Sequence, residues 1–167
     1  LPAEQQALAA LARFGLSGRT GADLNAIVGV REVLNFLGTA VPALRLQPDL
    51  AAVWEPFILS TRYDATPAPM SGKTGGTVGI TLTEKQGGSD VRANTSRAVH
   101  DGRDDWGERY RLTGHKWFFS APMCDAFLML AYVEGLGEAG LSCFFMPRVL
   151  PDGTRNELRI QRLKDKL

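Results

Sequence analysis

The sequence predicts an α+β protein in which N-terminal helices are followed by a small antiparallel β-barrel. Three observations support this fold class. Apolar residues recur at helical spacing over the first part of the chain, to about residue 66. Proline and glycine then concentrate over 67–76, which is typical of a linker, and short β-branched and aromatic runs alternate with glycine-containing turns beyond it. We therefore expect a partial N-terminal helical domain over 1–66, a linker over 67–76 and a middle β-barrel domain over 77–167.

The first 66 residues contain three helical patterns. The spacing of leucine and alanine predicts one helix over 1–16 and a second over about 22–44. The third pattern, over 50–58, has the same spacing, but Pro56 is expected to start a new turn or to kink the helix there. The apolar stripes of these helices are most simply explained as hydrophobic core.

Short runs with the composition of strands follow the linker, at 77–83, 91–100, 109–120, 126–134, 141–148 and 157–163. The intervening turns carry pairs such as Asp101-Gly102 and Asp152-Gly153, which favour tight hairpins. Because no helical pattern separates the runs, we expect consecutive strands to pair as an antiparallel barrel or sandwich.

Composition and charge are those of an ordinary globular protein. The 19 lysine and arginine residues nearly balance 18 aspartate and glutamate residues, so a net charge of +1 gives no overall attraction to nucleic acid or membrane. No apolar run approaches the roughly 18 residues of a membrane span, and we expect a cytoplasmic protein with no membrane partner. Cys124 and Cys143 lie in apolar runs and are expected to be buried thiols. His100 and His115 have no zinc-like ligand spacing around them, so no metal site is predicted.

The stretch 81–90, Thr-Leu-Thr-Glu-Lys-Gln-Gly-Gly-Ser-Asp, changes from a β-like run to a polar, glycine-rich turn. Gly87 and Gly88 permit backbone conformations and close approaches that a Cβ would block. The hydroxyls of Thr83 and Ser89 lie on either side of these glycines, so the turn could hold a polar ligand. Taken alone, the pattern is more simply interpreted as a structural loop that closes a hairpin.

A second stretch, 114–120, reads Gly-His-Lys-Trp-Phe-Phe-Ser and is predicted to be a strand that ends on a hydroxyl. Alternation along a strand would place Trp117 and Phe118 on opposite faces. We interpret Trp117 as a core residue.

Together, the two stretches resemble motifs of the acyl-CoA dehydrogenase flavoproteins. That family carries a Thr-Glu-Pro-x-x-Gly-Ser-Asp turn and a Gly-x-Lys-x-Trp-Ile-Thr/Ser strand in its middle domain. Here Lys85 stands at the proline position and Phe118 at the tryptophan position. These versions, with the closing Arg-Leu-Lys-Asp-Lys-Leu, are similar to the AidB-type branch, which is associated with the bacterial response to DNA alkylation. The resemblance covers 41–167 and is poor over 17–39.

The resemblance implies a β-barrel that lies between two helical domains and binds FAD. It implies that Thr83 lies near the pyrimidine edge of the isoalloxazine, Ser89 near the pyrophosphate and Ser120 near flavin N5. An aromatic wall would shield the flavin from water. The flavin contacts implied by the two motifs are Leu82, Thr83, Gly88, Ser89, Phe118, Phe119 and Ser120.

The activity implied is that of an oxidoreductase acting on CH–CH donors, in which an acyl-CoA loses an α-proton to a base and a β-hydride to the flavin. No catalytic residue is predicted here, because the family's base is a glutamate in a C-terminal helical domain beyond Leu167. Glu84 and Asp90 are interpreted as loop and capping carboxylates. The sequence is expected to be an inactive fragment of a homotetrameric protein.

Two alternatives remain open. Lys85 and Phe118 replace family residues near the flavin, which is compatible with a flavin-containing protein that binds or protects DNA without ordinary dehydrogenation. Its DNA contacts would lie in the C-terminal domain. The other alternative is a β-barrel interaction module that has lost flavin.

Overall fold

The computed structural model describes residues 40–62, 64–119 and 121–162. The predicted helix over 1–16, most of the predicted helix over 22–44, and Ser120 lie outside the described residues. The first described element is helix α1, Ala40–Leu44, which is the end of the second predicted helix.

Helix α2, Pro48–Ile58, confirms the third helical pattern. Pro48 suits the first turn, where its missing N–H has no intrahelical acceptor, and Asp49 complements the positive end of the helix dipole. Pro56 lies inside α2, and the helix continues past it to Ile58. Because Pro56 is in the last turn, it removes one N–H hydrogen bond near the end of the helix without ending the helix. Within the described ranges, no helix is long and apolar enough to cross a bilayer.

One sheet contains all the strands of the described chain: β1 Val78–Thr81, β2 Arg97–Asp104, β3 Gly107–Thr113, β4 Ala126–Val133 and β5 Leu141–Pro147. Strand β4 is central. Along one edge it pairs in parallel with β1, from Val78↔Ala126 onward, and then with the start of β2, at Ala98↔Val133. Strand β5 pairs with β4 antiparallel, and β2 and β3 form an antiparallel hairpin.

The predicted antiparallel barrel is therefore not confirmed, because the sheet is open and mixed. Parallel neighbours need a crossover connection of about a dozen residues or more. The stretches that join the parallel neighbours, 82–125 between β1 and β4 and 105–125 between β2 and β4, are long enough to provide it. Consecutive strands pair antiparallel, as predicted, in β2–β3 and β4–β5, but the order of the runs does not reveal the parallel neighbours of β4.

Three predicted strands are wrong in whole or in part. The run 91–100 begins with a short 3-10 helix, Val91–Ala93, so β2 starts only at Arg97. The run 109–120 ends as a strand at Thr113. In the described part of the run 157–163, residues 157–162, no strand forms.

The two faces of the sheet are covered differently. Val78 and Leu128 belong to a buried cluster with Trp54 of α2, whose indole ring lies edge-on to Phe145 with ring centroids 4.7 Å apart. Phe127 alternates with these inward residues and is fully buried on the opposite face. Helix α2 thus closes one side of the sheet and leaves the other for the loops.

The predicted burial of the two cysteines is half right. Cys124 is fully buried before β4, and burial raises the pKa of its thiol to about 11. Cys143 is exposed, because it lies on β5 at an edge of the described sheet.

The predicted linker is anchored to the sheet by a buried lysine. The Lys73 ammonium donates to the carbonyl oxygens of Asp64, at 2.8 Å, and Thr66, at 2.6 Å, and to Asp125 Oδ1 at 2.8 Å. Asp125 also accepts from the Thr77 N–H at 2.9 Å. This network fixes the chain just before β1.

Candidate functional site

The glycine-rich stretch forms a tight turn directly after β1. The backbone groups of Glu84 and Gly87 are paired, with N···O distances of 3.2 and 3.1 Å. A Cβ at Gly87 would lie 2.9 Å from the carbonyl oxygen of Asp90, so the turn requires glycine at this position. The Asp90 side chain accepts from the Arg92 N–H at 3.1 Å and caps the following 3-10 helix, as predicted.

The aromatic stretch is brought against this turn. The Trp117 N–H donates to the Thr83 carbonyl oxygen at 2.9 Å, so residues far apart in the sequence become neighbours. Phe118 has a left-handed backbone, with φ of 52°, and its side chain is 68% exposed. The indole of Trp117 is 42% exposed and lies edge-on to Phe118, with ring centroids 6.0 Å apart. The turn therefore has an aromatic wall beside it.

The interpretation of Trp117 as a core residue is wrong. The segment 114–119 is not a strand, and the left-handed residue Phe118 breaks the alternation on which that interpretation depended. Phe119 takes the inward position instead: it is half-buried and packs edge-on against Phe127, with ring centroids 4.6 Å apart.

Glu84 is a loop carboxylate, as interpreted from the sequence, but its burial was not predicted: this residue is 2% exposed. Its carboxylate accepts from the backbone N–H groups of Thr95, at 2.7 Å, and Ser96, at 3.0 Å. The hydroxyls of the same two residues donate to it at 2.7 and 2.5 Å, and Gln86 Nε2 donates at 2.6 Å. The Lys116 ammonium completes the set at 2.9 Å. The carboxylate thus joins the turn to the start of β2.

Burial and hydrogen bonding shift the pKa values of this ion pair in opposite directions. Burial would raise the pKa of Glu84, but hydrogen bonds from Ser96, Lys116 and Thr95 outweigh it and hold the pKa well below the usual range. Burial lowers the pKa of Lys116, partly offset by Glu84. Glu84 is therefore an anion at neutral pH, and its charged partner Lys116 is 3% exposed.

Several donors at the turn are available to a ligand. The N–H groups of Gly88 and Ser89 and the hydroxyls of Thr83 and Ser89 bond to no group in the described part of the chain. Gly88 and Ser89 are exposed. A Cβ at Gly88 would lie 3.3 Å from Thr83 Cγ2, so glycine keeps the space beside Thr83 open. Adjacent N–H and O–H donors in a turn suit an anionic group such as a phosphate.

The structure brings most of the predicted site residues together. Thr83, Gly88, Ser89 and Phe118 lie on the turn and the aromatic wall, while Leu82 is half-buried behind them and its carbonyl oxygen accepts from Lys116 at 3.4 Å. Among the described residues, no group of three or more histidine, cysteine or carboxylate side chains could hold a metal ion.

The polar network beneath the site was not predicted from the sequence. It is formed by Glu84, Asn94, Ser96 and Lys116. Lys116 stands in the Gly-x-Lys motif, which was the available signal. Its role could not be inferred, because the partners of a buried charge depend on tertiary contacts.

Comparison with known proteins identifies the family of this chain. Residues 79–167 match the acyl-CoA dehydrogenase middle-domain family. AidB of Escherichia coli (strain K12) is 52% identical over 126 residues, covering 74% of this chain and 21% of AidB. Acyl-CoA dehydrogenase family member 11 of Caenorhabditis elegans is 39% identical over 98 residues, covering 54% of this chain and 15% of that protein. The chain thus spans about a fifth or less of these curated relatives.

Two solved structures share the fold. The apo form of Bd2924 has a TM-score of 0.65 and 35% identity, with 80% of this chain and 26% of that chain covered. Caenorhabditis elegans ACDH-11 in complex with C11-CoA has a TM-score of 0.54 and 29% identity, with 81% and 21% covered. With the family match over more than half of its length and the similarity to AidB, the chain belongs to the acyl-CoA dehydrogenase family and is a homologue of AidB.

Proposed function

We propose that this chain is the FAD-binding part of an acyl-CoA dehydrogenase-like oxidoreductase of the AidB type. The hydrogen bond between the Trp117 N–H and the Thr83 carbonyl oxygen is the observation that supports this most directly. This bond holds the turn, whose N–H and hydroxyl donors are available to a ligand, beside the exposed aromatic wall. A dinucleotide with a flat ring system and a pyrophosphate needs both features.

The residues present fit such a cofactor by the chemistry of their donors. The Gly88 and Ser89 N–H groups and the Ser89 hydroxyl would hold the pyrophosphate, and the Thr83 hydroxyl would hold the pyrimidine edge of the flavin. Phe118 would lie against the ring system and exclude water from it, and Leu82, Phe119 and Ser120 would complete the contacts. Bound FAD would supply the hydride acceptor.

The substrate proposed is an acyl-CoA thioester. ACDH-11 was solved with C11-CoA, and this chain shares its fold. We place no catalytic base in this chain, and we propose a homotetramer in the cytoplasm for the whole protein. The role in the alkylation response, with DNA contacts elsewhere in the protein, is the alternative function, and Lys85 and Phe118 are the motif departures that favour it.

Substitution at the turn tests the FAD assignment. Ser89→Ala should weaken FAD binding by roughly ten- to a hundredfold, because a hydrogen bond to a charged group contributes about 1.5–3 kcal/mol. Ser71→Ala is the matched control: this exposed serine lies in the 3-10 helix Met70–Gly72, away from the turn. The measurement is a titration of the protein at its natural full length with FAD, followed by visible absorbance. Equal affinities of the two variants would contradict the assignment.

Addition of C11-CoA to the FAD-loaded protein without oxygen separates the two functions. Loss of the visible flavin absorbance supports dehydrogenation. An unchanged spectrum with FAD still bound favours the alternative.

A further inference from the structure

Three loop segments meet at the buried ion pair of Glu84 and Lys116. The first contains the turn, the second is the start of β2, and the third carries the aromatic wall. Lys116 also donates to the Asn94 side-chain oxygen, and Gln86 donates to the Ala93 carbonyl oxygen at 2.9 Å. Neither the turn nor the segment 114–119 belongs to a strand, so no sheet ladder fixes one against the other. Their relative position depends on the backbone hydrogen bond from Trp117 to Thr83 and on side-chain contacts.

The ion pair runs beside the backbone bond that joins the same two segments. Thr83 accepts from Trp117 at 2.9 Å, and the next residue, Glu84, accepts from Lys116, the residue before Trp117, at 2.9 Å. Two neighbouring residues on one segment are thus tied to two neighbouring residues on the other. A double tie restricts rotation as well as separation. The atoms it controls are the Thr83 hydroxyl and the ring of Phe118, which follows Trp117.

We propose that the Glu84–Lys116 pair is the positioning device of the cofactor site, setting the distance and angle between the donor turn and the aromatic wall so that a flavin fits both. This inference rests on the proposed FAD function. Glu84 and Lys116 are positioning residues: each is almost fully buried, so they act on the cofactor through Thr83 and Phe118.

A second ion pair in the chain serves as a control, because its loss should lower stability without changing the position of the cofactor contacts. Lys73 and Asp125 form a second ion pair, with an Nζ–Oδ1 distance of 2.8 Å, a lysine side chain that is 1% exposed and an aspartate side chain that is 17% exposed. Its lysine also donates to backbone carbonyl oxygens. It anchors the segment before β1 rather than the turn. Loss of either lysine leaves a carboxylate without its cation, fully buried at Glu84 and partly buried at Asp125, so both losses cost folding free energy through the same kind of unpaired charge.

The test compares Lys116→Met with Lys73→Met in the protein at its natural full length. Two quantities are measured for each: the thermal midpoint of the apo protein and the Kd for FAD from absorbance titration. Both variants should have a lowered thermal midpoint. Lys116→Met should also raise the Kd by about tenfold or more, because loosely held contact groups lose most of their complementarity to a ligand, whereas Lys73→Met should change it by less than about twofold.

Equal changes in Kd for both variants, or none for Lys116→Met, would overturn the inference. If either lysine variant does not fold, a milder pair applies: Ser96→Ala removes the hydroxyl bond to Glu84, and Thr77→Val removes the hydroxyl bond to Asp125 at 3.1 Å. Ser96→Ala should then raise the Kd by roughly threefold or more, and Thr77→Val should not. Failure of the wild-type protein to bind FAD would instead overturn the proposed function, and the inference with it.

Discussion

At the residue scale, the side chain of Glu84 decides the local structure of the site. A buried carboxylate is stable only when its lone pairs are satisfied and its charge is compensated. Backbone N–H groups, hydroxyls, an amide and the Lys116 ammonium meet both conditions here. Since these donors come from separate segments, removing the carboxylate leaves several of them buried without an acceptor.

The acid side of the stability profile should depend on this residue. The pKa of Glu84 lies below its ordinary value of 4.5, and that of Asp64 is lowered from 3.8 to about 2, chiefly by the Thr66 N–H. A lowered folded-state pKa contributes stability that is complete above the unfolded pKa and is lost as pH falls through the folded pKa. The free energy of unfolding should therefore fall between about pH 5 and pH 2.

Glu84→Gln should remove part of the pH dependence of stability. It should also lower the free energy of unfolding by about 3–5 kcal/mol at neutral pH, because it breaks a buried ion pair. Urea unfolding over a pH series measures both effects. Glu108→Gln is the control: this exposed carboxylate, on β3, is hydrogen-bonded to His100 and Arg103, and its loss should change neutral-pH stability little. A Glu84→Gln profile parallel to that of the wild type would show that Glu84 carries no such linkage.

At the element scale, strands with continuous apolar or β-branched sequence were predicted closely. The runs 77–83, 126–134 and 141–148 correspond to β1, β4 and β5 with errors of one or two residues at their ends. The run 109–120 was predicted too long, because aromatic residues favour strands while the backbone at Phe118 is left-handed. The parallel pairing of β4 is a tertiary property that no local pattern encodes.

The same distinction holds for the candidate site. The glycine and hydroxyl residues predicted the turn, and the aromatic residues predicted the segment that lies beside it, because both form local motifs. The charged residues beneath them were not recognised, since burial of Glu84 and Lys116 follows from contacts with the start of β2.

The segment 114–119 depends on a close approach at its first residue. A Cβ at Gly114 would lie 2.1 Å from Ser96 Oγ and 2.9 Å from Ser96 Cα, so backbone must move. Gly114→Ala should destabilise the protein by about 1–3 kcal/mol and weaken FAD binding, because it pushes the segment that carries Lys116 away from Ser96 and so disturbs the contacts of Lys116 with Glu84 and Asn94.

Gly72→Ala is the control for this substitution, since a Cβ there meets nothing within 4 Å. Its effect on the free energy of unfolding should stay within about 0.5 kcal/mol. Thermal and urea unfolding, with the FAD titration, compare the two variants. Equal tolerance of both would contradict the close packing of Gly114 on Ser96.

At the scale of the whole molecule, the sheet separates a helical core from the candidate cofactor site. Trp54 of α2 packs on one face, and Phe127 on the other supports Phe119 of the aromatic segment. The site therefore lies on a rigid support, as a cofactor site requires. The described chain carries the groups that we propose to bind and shield a flavin, and the base, substrate contacts and DNA contacts of the whole protein are further proposals.

The most direct test of this account is a titration of the wild-type protein, at its natural full length, with FAD. We predict saturable binding of one FAD per chain with a perturbed visible spectrum, because the donor turn would hold the pyrophosphate and the aromatic wall would lie against the ring system. A folded protein that shows no saturable binding would contradict the central claim, and the resemblance to flavoproteins would then reflect ancestry alone.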